Sequence, residues 1–231
     1  MLELKDINIG YKNKLVQKGI NLNIVSGQFI ALAGNNGCGK STFLKTICGV
    51  IPPLSGNIII NNKNYSEFTA SELASQVSVV LTDKISGFNL TAFDVVASGR
   101  IPYLNSFGFL TEEDKLIIET GMSAIGISEL SERLFDELSD GQKQKVLIAK
   151  AIAQQTPIIL MDEPTAFLDY KSRVALFALL KQLAKEKGKT ILISSHDIDI
   201  LFKHVDKVIY FNESGYQFGE PEKLYDEVIS K

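Results

Sequence analysis

Gly34-Asn35-Asn36-Gly37-Cys38-Gly39-Lys40-Ser41-Thr42 matches the pattern G-x-x-x-x-G-K-[ST], and the residues flanking it decide the fold. Phe29-Ile30-Ala31-Leu32-Ala33 before it is a short apolar run that predicts a strand, and Thr42 to Val50 reads as a helix. Strand, glycine-rich turn and helix in that order describe a phosphate-binding loop in an α/β fold. Glycines let backbone N–H groups converge on phosphate oxygens where a side chain would block the approach. The helix N-terminus adds partial positive charge for the anion. Asn35, Asn36, Gly37, Cys38, Gly39 and Thr42 are therefore candidate ATP contacts. Lys40 is a mobile point charge suited to the β- and γ-phosphates, and Ser41 offers a hydroxyl to Mg²⁺.

A second segment, Ile158-Ile159-Leu160-Met161-Asp162-Glu163-Pro164, supplies acids. Four apolar residues in a row suit a central parallel strand buried on both faces. Asp162 and Glu163 then fall at its carboxyl end, where open α/β sheets place their ligands. Neighbouring strand residues point to opposite sides, so the two acids are expected to divide the work. Asp162 is the candidate for the Mg²⁺ shell beside Ser41, and Glu163 for the general base that faces an attacking water. An Asp-Glu pair alone also opens solvated turns; the loop at Gly34 gives this one its chemical meaning.

The third segment is Leu138-Ser139-Asp140-Gly141-Gln142. Ser139 is a good N-cap, and Gly141 to Gln154 reads as a helix with Val146, Ala149 and Ile152 on one face. A helix N-terminus with a hydroxyl and a glycine is a second anion site. With these three segments the chain resembles the nucleotide-binding subunit of an ATP-binding cassette (ABC) transporter almost end to end, and Leu138–Gln142 is similar to that family's signature motif. The resemblance implies a P-loop NTPase with a RecA-like core, an N-terminal antiparallel β part and an inserted helical subdomain. It implies that Ser139, Gly141 and Gln142 reach the γ-phosphate held by a second copy of the chain, two ATP molecules being sandwiched in a head-to-tail dimer.

The resemblance also assigns smaller landmarks. Tyr11 falls where the family stacks an aromatic ring on adenine, although a Tyr near a first strand also serves plain packing. Phe167-Leu168-Asp169 corresponds to a dimer-contact loop. His196, after the apolar strand Thr190-Ile191-Leu192-Ile193-Ser194, corresponds to a switch histidine at the γ-phosphate, while His204 reads as structural. Two departures stand out. The family usually ends the strand aligned with Val77-Ser78-Val79-Val80-Leu81 in a Gln that touches Mg²⁺; here Thr82 takes that place. Its shorter hydroxyl is expected to reach the metal through a water. Asp140 stands where a Gly is more common, and a carboxylate there must point away from phosphate.

Composition fits one 231-residue domain, 45% hydrophobic, with a helical subdomain expected over residues 84–155. A net charge of −3 gives no electrostatic footprint for nucleic acid. Two cysteines, in the loop and on its helix, suit a reducing cytosol, and the lysines at 181, 185, 187 and 189 read as a wet helix face. Met1 leads straight into an apolar strand, with no signal peptide in view, and no stretch is long enough to span a bilayer. The chain is therefore expected in the cytoplasm, peripheral on the cytoplasmic membrane face, with transport supplied by membrane-spanning permease subunits and, indirectly, a substrate-binding protein.

The segment Asn89-Leu90-Thr91 through Gly99-Arg100-Ile101-Pro102-Tyr103 resembles subunits that power import of ferric siderophores, haem or cobalamin, where it docks on the permease. Pro102, Tyr103, Phe107 and Phe109 form an aromatic cluster suited to receiving a permease helix or, equally, to packing the subdomain. A soluble ABC ATPase acting as an assembly scaffold, of the iron–sulfur cluster type, is the alternative, since its ATP site would read the same. Repair and translation cassettes carry insertions or second cassettes that have no counterpart here.

Overall fold

Apolar residues alternate along Leu2–Tyr11 (β1) and Lys14–Ile24 (β2), so each strand has one face to bury. The structure, a computed structural model, describes residues 2–12, 14–81, 89–104 and 108–229. After β2 come β3 (Phe29–Gly34), α1 (Lys40–Ile47), β4 (Ser55–Ile60), β5 (Lys63–Asn64), α2 (Ala70–Gln76) and β6 (Val77–Val80). Three helices follow: α3 (Ala92–Ala97), α4 (Glu112–Ile125) and α5 (Asp140–Ala153). The chain then runs through β7 (Ile158–Asp162), α6 (Tyr170–Lys187), β8 (Thr190–Ser194) and α7 (Ile198–Leu201). It closes with β9 (Lys207–Asn212), β10 (Gly215–Gly219) and α8 (Pro221–Ile229).

Two sheets result. One is antiparallel in the order β2-β1-β4-β5; the other runs β10-β9-β3-β8-β7-β6, parallel except for β10 at its edge. The central strands of the second sheet are covered on both faces. Phe29, Ala31 and Ala33 of β3, with Ile159 and Met161 of β7, pack toward Ile148 of α5 and Phe177 and Leu180 of α6. The alternate residues Ile30, Leu32, Ile158 and Leu160 share a core with Phe43 and Leu44 of α1 and with the antiparallel sheet. The α3–α5 region has its own cluster, built on Val96, Ile118, Met122, Phe135 and Val146. Among the described residues no helix is long and apolar enough to cross a membrane.

Several helix ends differ from the sequence expectation. Helix α1 starts at Lys40 rather than Thr42 and stops at Ile47, where Cys48 caps it and Gly49 turns the chain at φ +83°. Thr91–Gly99 reads as a helix from the sequence; α3 instead starts after the Thr91 cap, ends at Ala97 and tightens into a 3₁₀ turn, Ser98–Tyr103, which contains Pro102 and leads to an extended Leu104. Thr111 lies outside α4 and caps it, its hydroxyl accepting from the Asp114 amide. Helix α5 begins at Asp140 with Ser139 as the expected cap, in a capping box with Gln142.

One buried ion pair clamps the helical region. Arg100 and Asp114 are 6% and 5% exposed, and the Arg100 Nε donates to Asp114 Oδ1 at 2.8 Å. Arg100 Nη1 also donates to the Ala153 carbonyl at the end of α5 (3.0 Å), and the guanidinium lies 4.2 Å from the Tyr103 ring centroid. Asp114→Ala is expected to lower the unfolding free energy by about 3–5 kcal/mol, the scale for stranding one partner of a buried pair. A urea midpoint series checks this. Hydrogen bonds from the Thr111 amide and hydroxyl, then the Arg100 guanidinium, hold the Asp114 carboxyl below its ordinary range. Its contribution is full above the unfolded-state carboxylate pKa and is lost as pH falls through the folded one. The stability gap between wild type and Asp114→Asn should therefore close on acidification.

Candidate active site

Because β3, β8 and β7 are neighbours and parallel, their carboxyl ends meet at one edge of the sheet. Strand β3 delivers the glycine-rich loop there. Gly39 precedes α1 at φ +113°, and a Cβ at that position would stand 2.7 Å from Val16 Cγ1, so only glycine fits. Asn35, Asn36, Gly37 and Ser41 are exposed, Cys38 is half-buried and Thr42 is mostly covered. Lys40 is 8% exposed, and its Nζ donates to the Gly34 and Asn35 carbonyls at 2.6 and 3.2 Å. The ammonium is thus curled against its own loop, within reach of any anion the loop receives.

Strand β7 delivers the acids, in a way the pleat argument does not anticipate. Asp162 ends the strand, 1% exposed, and accepts a 2.7 Å hydrogen bond from the Ser194 hydroxyl. Glu163 has already left the strand, at φ +49°. A left-handed turn, rather than strand alternation, separates the two carboxylates. Such a conformation costs a non-glycine residue about 1–2 kcal/mol. The Glu163 amide is held by the Ser194 carbonyl (3.2 Å) and hydroxyl (3.0 Å). Its Oε2 accepts from the His196 amide at 3.2 Å, and its Oε1 lies 3.5 Å from His196 Nε2. Among the described residues Oε1 is buried without a hydrogen-bond partner. Burial pushes the Glu163 carboxyl above its ordinary range and Asp162 adds to this, while His196 and Lys40 pull it back. Lys40, Asp162, Glu163 and His196 therefore act on one another as a group.

The remaining candidates lie elsewhere. Ser139, Gly141 and Gln142 form the first turn of α5; the Ser139 hydroxyl accepts from the Gln142 amide and the Gln142 Oε1 accepts from the Ser139 amide. A Cβ on Gly141 would come within 2.8 Å of the Phe167 carbonyl, which explains glycine there. Asp140 is exposed, as its charge requires. Tyr11 is 53% exposed and Phe167 is 50% exposed, while Leu168 is buried and Asp169 caps α6 by accepting from the Ser172 amide. Phe109 is 71% exposed, and Tyr103, also exposed, lies against the Arg100 guanidinium. His204 packs its ring near Phe177. Lys181, Lys185 and Lys187 lie on the exposed side of α6, Lys185 pairing with Asp206, while Lys189, past the helix end, is half-buried and donates to the Gln155 carbonyl. Thr82 and Phe107 lie outside the described residues.

Among the described residues no three His, Cys, Asp or Glu side chains are placed to hold a metal. The donors at hand, the exposed Ser41 hydroxyl and the Asp162 carboxylate, are hard oxygens and too few for a complete shell. That set fits Mg²⁺ arriving with phosphates, and the orphaned Glu163 Oε1 fits a polar occupant.

Sequence reasoning missed the residues that brace this edge. Gln17 on β2, 7% exposed, donates to the Cys38 carbonyl (3.0 Å) and the Asn212 carbonyl (3.1 Å), tying the loop to the β9–β10 hairpin. Between loop and hairpin lies a cleft of about 470 Å³, lined in part by Asn36, Asn212 and Ser214. Ser195 and Thr165 share a hydrogen bond of 2.9 Å behind Glu163.

Residues 17–166 match the family model described as ABC transporter. An uncharacterized ABC transporter ATP-binding protein of Methanocaldococcus jannaschii is 41% identical over 225 residues, 97% of this chain and 78% of that one. The iron(3+)-hydroxamate import ATP-binding protein FhuC of Bacillus subtilis is 35% identical over 198 residues, 86% of this chain and 74% of that one. Among solved structures, a dimeric ATP-binding cassette in a post-hydrolysis state with ADP and Pi bound matches with a TM-score of 0.85 at 29% identity, covering 96% of this chain and 99% of that one.

Proposed function

The chain belongs to the ABC transporter family of ATP-binding subunits, and on that premise we propose that it hydrolyses ATP between two copies of itself to drive import of an iron complex. The observation that carries the hydrolytic reading is Glu163, a partly buried carboxylate whose Oε1 lacks a hydrogen bond among the described residues, turned out of β7 toward Lys40 and His196.

In this reading the loop from Asn35 to Thr42 takes the phosphates, and Lys40 exchanges its two carbonyl partners for the β- and γ-oxygens. Tyr11, exposed at the end of β1, is available to stack on the base. Ser41 and Asp162 would hold Mg²⁺ together with the phosphates, and the bound ion would supply neutralisation of charge on the transferring group. Glu163 orients a water and accepts its proton, and His196 keeps the Glu163 carboxylate oriented while its exposed ring faces the γ-phosphate. Ser139, Gly141 and Gln142 close over the nucleotide of the second copy, where the helix end favours the anion.

The partner surface lies at the opposite end of α5. A groove of about 510 Å³ is lined in part by Tyr65, Phe68, Leu73, Lys150 and Gln154, and the Ser98–Tyr103 turn packs on α2, whose Leu73 and Ala74 line it. The Tyr103 hydroxyl is within 3.5 Å of the Ser75 carbonyl, so groove and aromatic turn are continuous. An amphipathic helix of a permease fits this surface. Import of an iron complex is supported by the relative named for iron(3+)-hydroxamate import.

Glu163→Gln is expected to slow hydrolysis by about 10²–10⁴-fold with ATP affinity retained; a variant that turns over at the wild-type rate contradicts the role. Because the Glu163 carboxyl sits above its ordinary range and must be ionised to act, the wild-type rate should fall on acidification from a pH higher than an exposed glutamate would give. A pH–rate profile with parallel ATP-binding measurements checks the sign. A tagged pull-down from detergent-solubilised membranes should yield a multi-span permease at equal stoichiometry. Recovery of soluble partners alone would contradict the transport reading and leave the ATP chemistry standing.

A further inference from the structure

Ser194 closes β8, fully buried, with its Cα opposite Asp162 in the β7–β8 ladder. A buried hydroxyl after the run Thr190-Ile191-Leu192-Ile193 is tolerated only if it finds partners. It finds two, on consecutive residues of the neighbouring chain segment. The Ser194 Oγ donates to Asp162 Oδ1 at 2.7 Å and accepts from the Glu163 amide at 3.0 Å. An amide only donates, so the hydroxyl must accept there, and its single proton is left for the Asp162 carboxylate. The direction of both bonds is thereby fixed. Asp162 cannot swing its carboxylate without breaking the shorter bond, and Glu163 cannot leave its φ of +49° without breaking the longer one. The next residue does something different: the Ser195 hydroxyl pairs with Thr165 and accepts from the Asp197 amide, joining loop to loop.

We infer that Ser194 is a positioning residue for phosphoryl transfer, its one hydroxyl locking the Asp162 carboxylate and the Glu163 turn into a single rigid unit. The inference rests on the roles proposed above for Asp162 and Glu163. Metal-side and water-side carboxylates thereby keep a fixed relation, held by a hydroxyl that is itself fully buried behind them. An alanine in its place keeps the strand and the Ser194 backbone carbonyl's bond to the Glu163 amide, and removes only the link between the two acids.

Ser194→Ala is expected to lower kcat by about 10–100-fold, the scale for losing the outer partner of a metal-side ligand. The Mg²⁺ concentration for half-maximal rate should rise, while ATP binding measured without Mg²⁺ stays at its wild-type value. In the nucleotide-free protein, hydrogen exchange at the Glu163 amide should quicken while the amides of Ile159 and Leu160 keep their protection. Ser194→Thr retains the hydroxyl and should recover most of the lost kcat. If Ser194→Ala does not fold, Ser194→Cys, close in size but a weak donor, carries the same test. A folded variant without the hydroxyl that keeps wild-type kcat and Mg²⁺ dependence, while Glu163→Gln is inactive, overturns the inference alone. So does a loss of kcat matched by an equal loss of Mg²⁺-free ATP binding, which marks general damage. A Glu163→Gln protein with wild-type turnover would instead overturn the reading beneath it.

Discussion

Burial of β3, β8 and β7 on both faces is the constraint from which the rest of the structure follows. With Phe29, Ala31, Ile159, Met161 and Ile193 packed on one side and Ile30, Leu32, Ile158, Leu160 and Leu192 on the other, these strands have no wet face. Polar residues can leave only at the strand ends. Parallel pairing then brings the carboxyl ends together, so Gly34, Asp162 and Ser194 emerge at one edge. Charged groups gathered there are partly shielded from water, and this explains why burial is the largest influence on the Glu163 carboxyl.

Helix α5 carries the second consequence. Its 14 residues span about 21 Å. Its first turn presents Ser139 and Gly141, and its last is gripped by Arg100 through the Ala153 carbonyl. Arg100 belongs to the turn that holds Ile101 and Tyr103 beside the groove. A partner pressing on that turn therefore pushes on a rod whose far end is a helix N-terminus. Gln154, which follows the rod, donates to the Ala74 carbonyl at 2.6 Å and fixes the pivot against the core.

Local rules made much of this legible from the sequence. The glycine-rich loop and the Ser139 cap depend on spacing and capping within a few residues, and each lies where spacing places it. The ends of α1 and α3 were misjudged because Gly49 and the Ser98–Tyr103 turn respond to tertiary packing. The same limit hid the left-handed Glu163, since a strand pattern carries no sign that its last acid leaves the pleat. Gln17, Arg100 and Ser194 were invisible for a related reason. Their partners are 21, 14 and 32 residues away in sequence, in segments that only the folded sheet brings together.

The central claim is that one chain holds half of each nucleotide site: Lys40 and Glu163 on one copy, Ser139 on the other. The most direct test mixes two inactive variants, Lys40→Ala and Ser139→Arg, and measures ATPase activity of the mixture. In a mixed dimer one site receives both defects and the other receives neither. Shared sites therefore predict that the mixture recovers hydrolysis that neither variant shows alone. A mixture as inactive as its components, with mixed dimers shown to form, would contradict the shared site and place the whole reaction within a single chain.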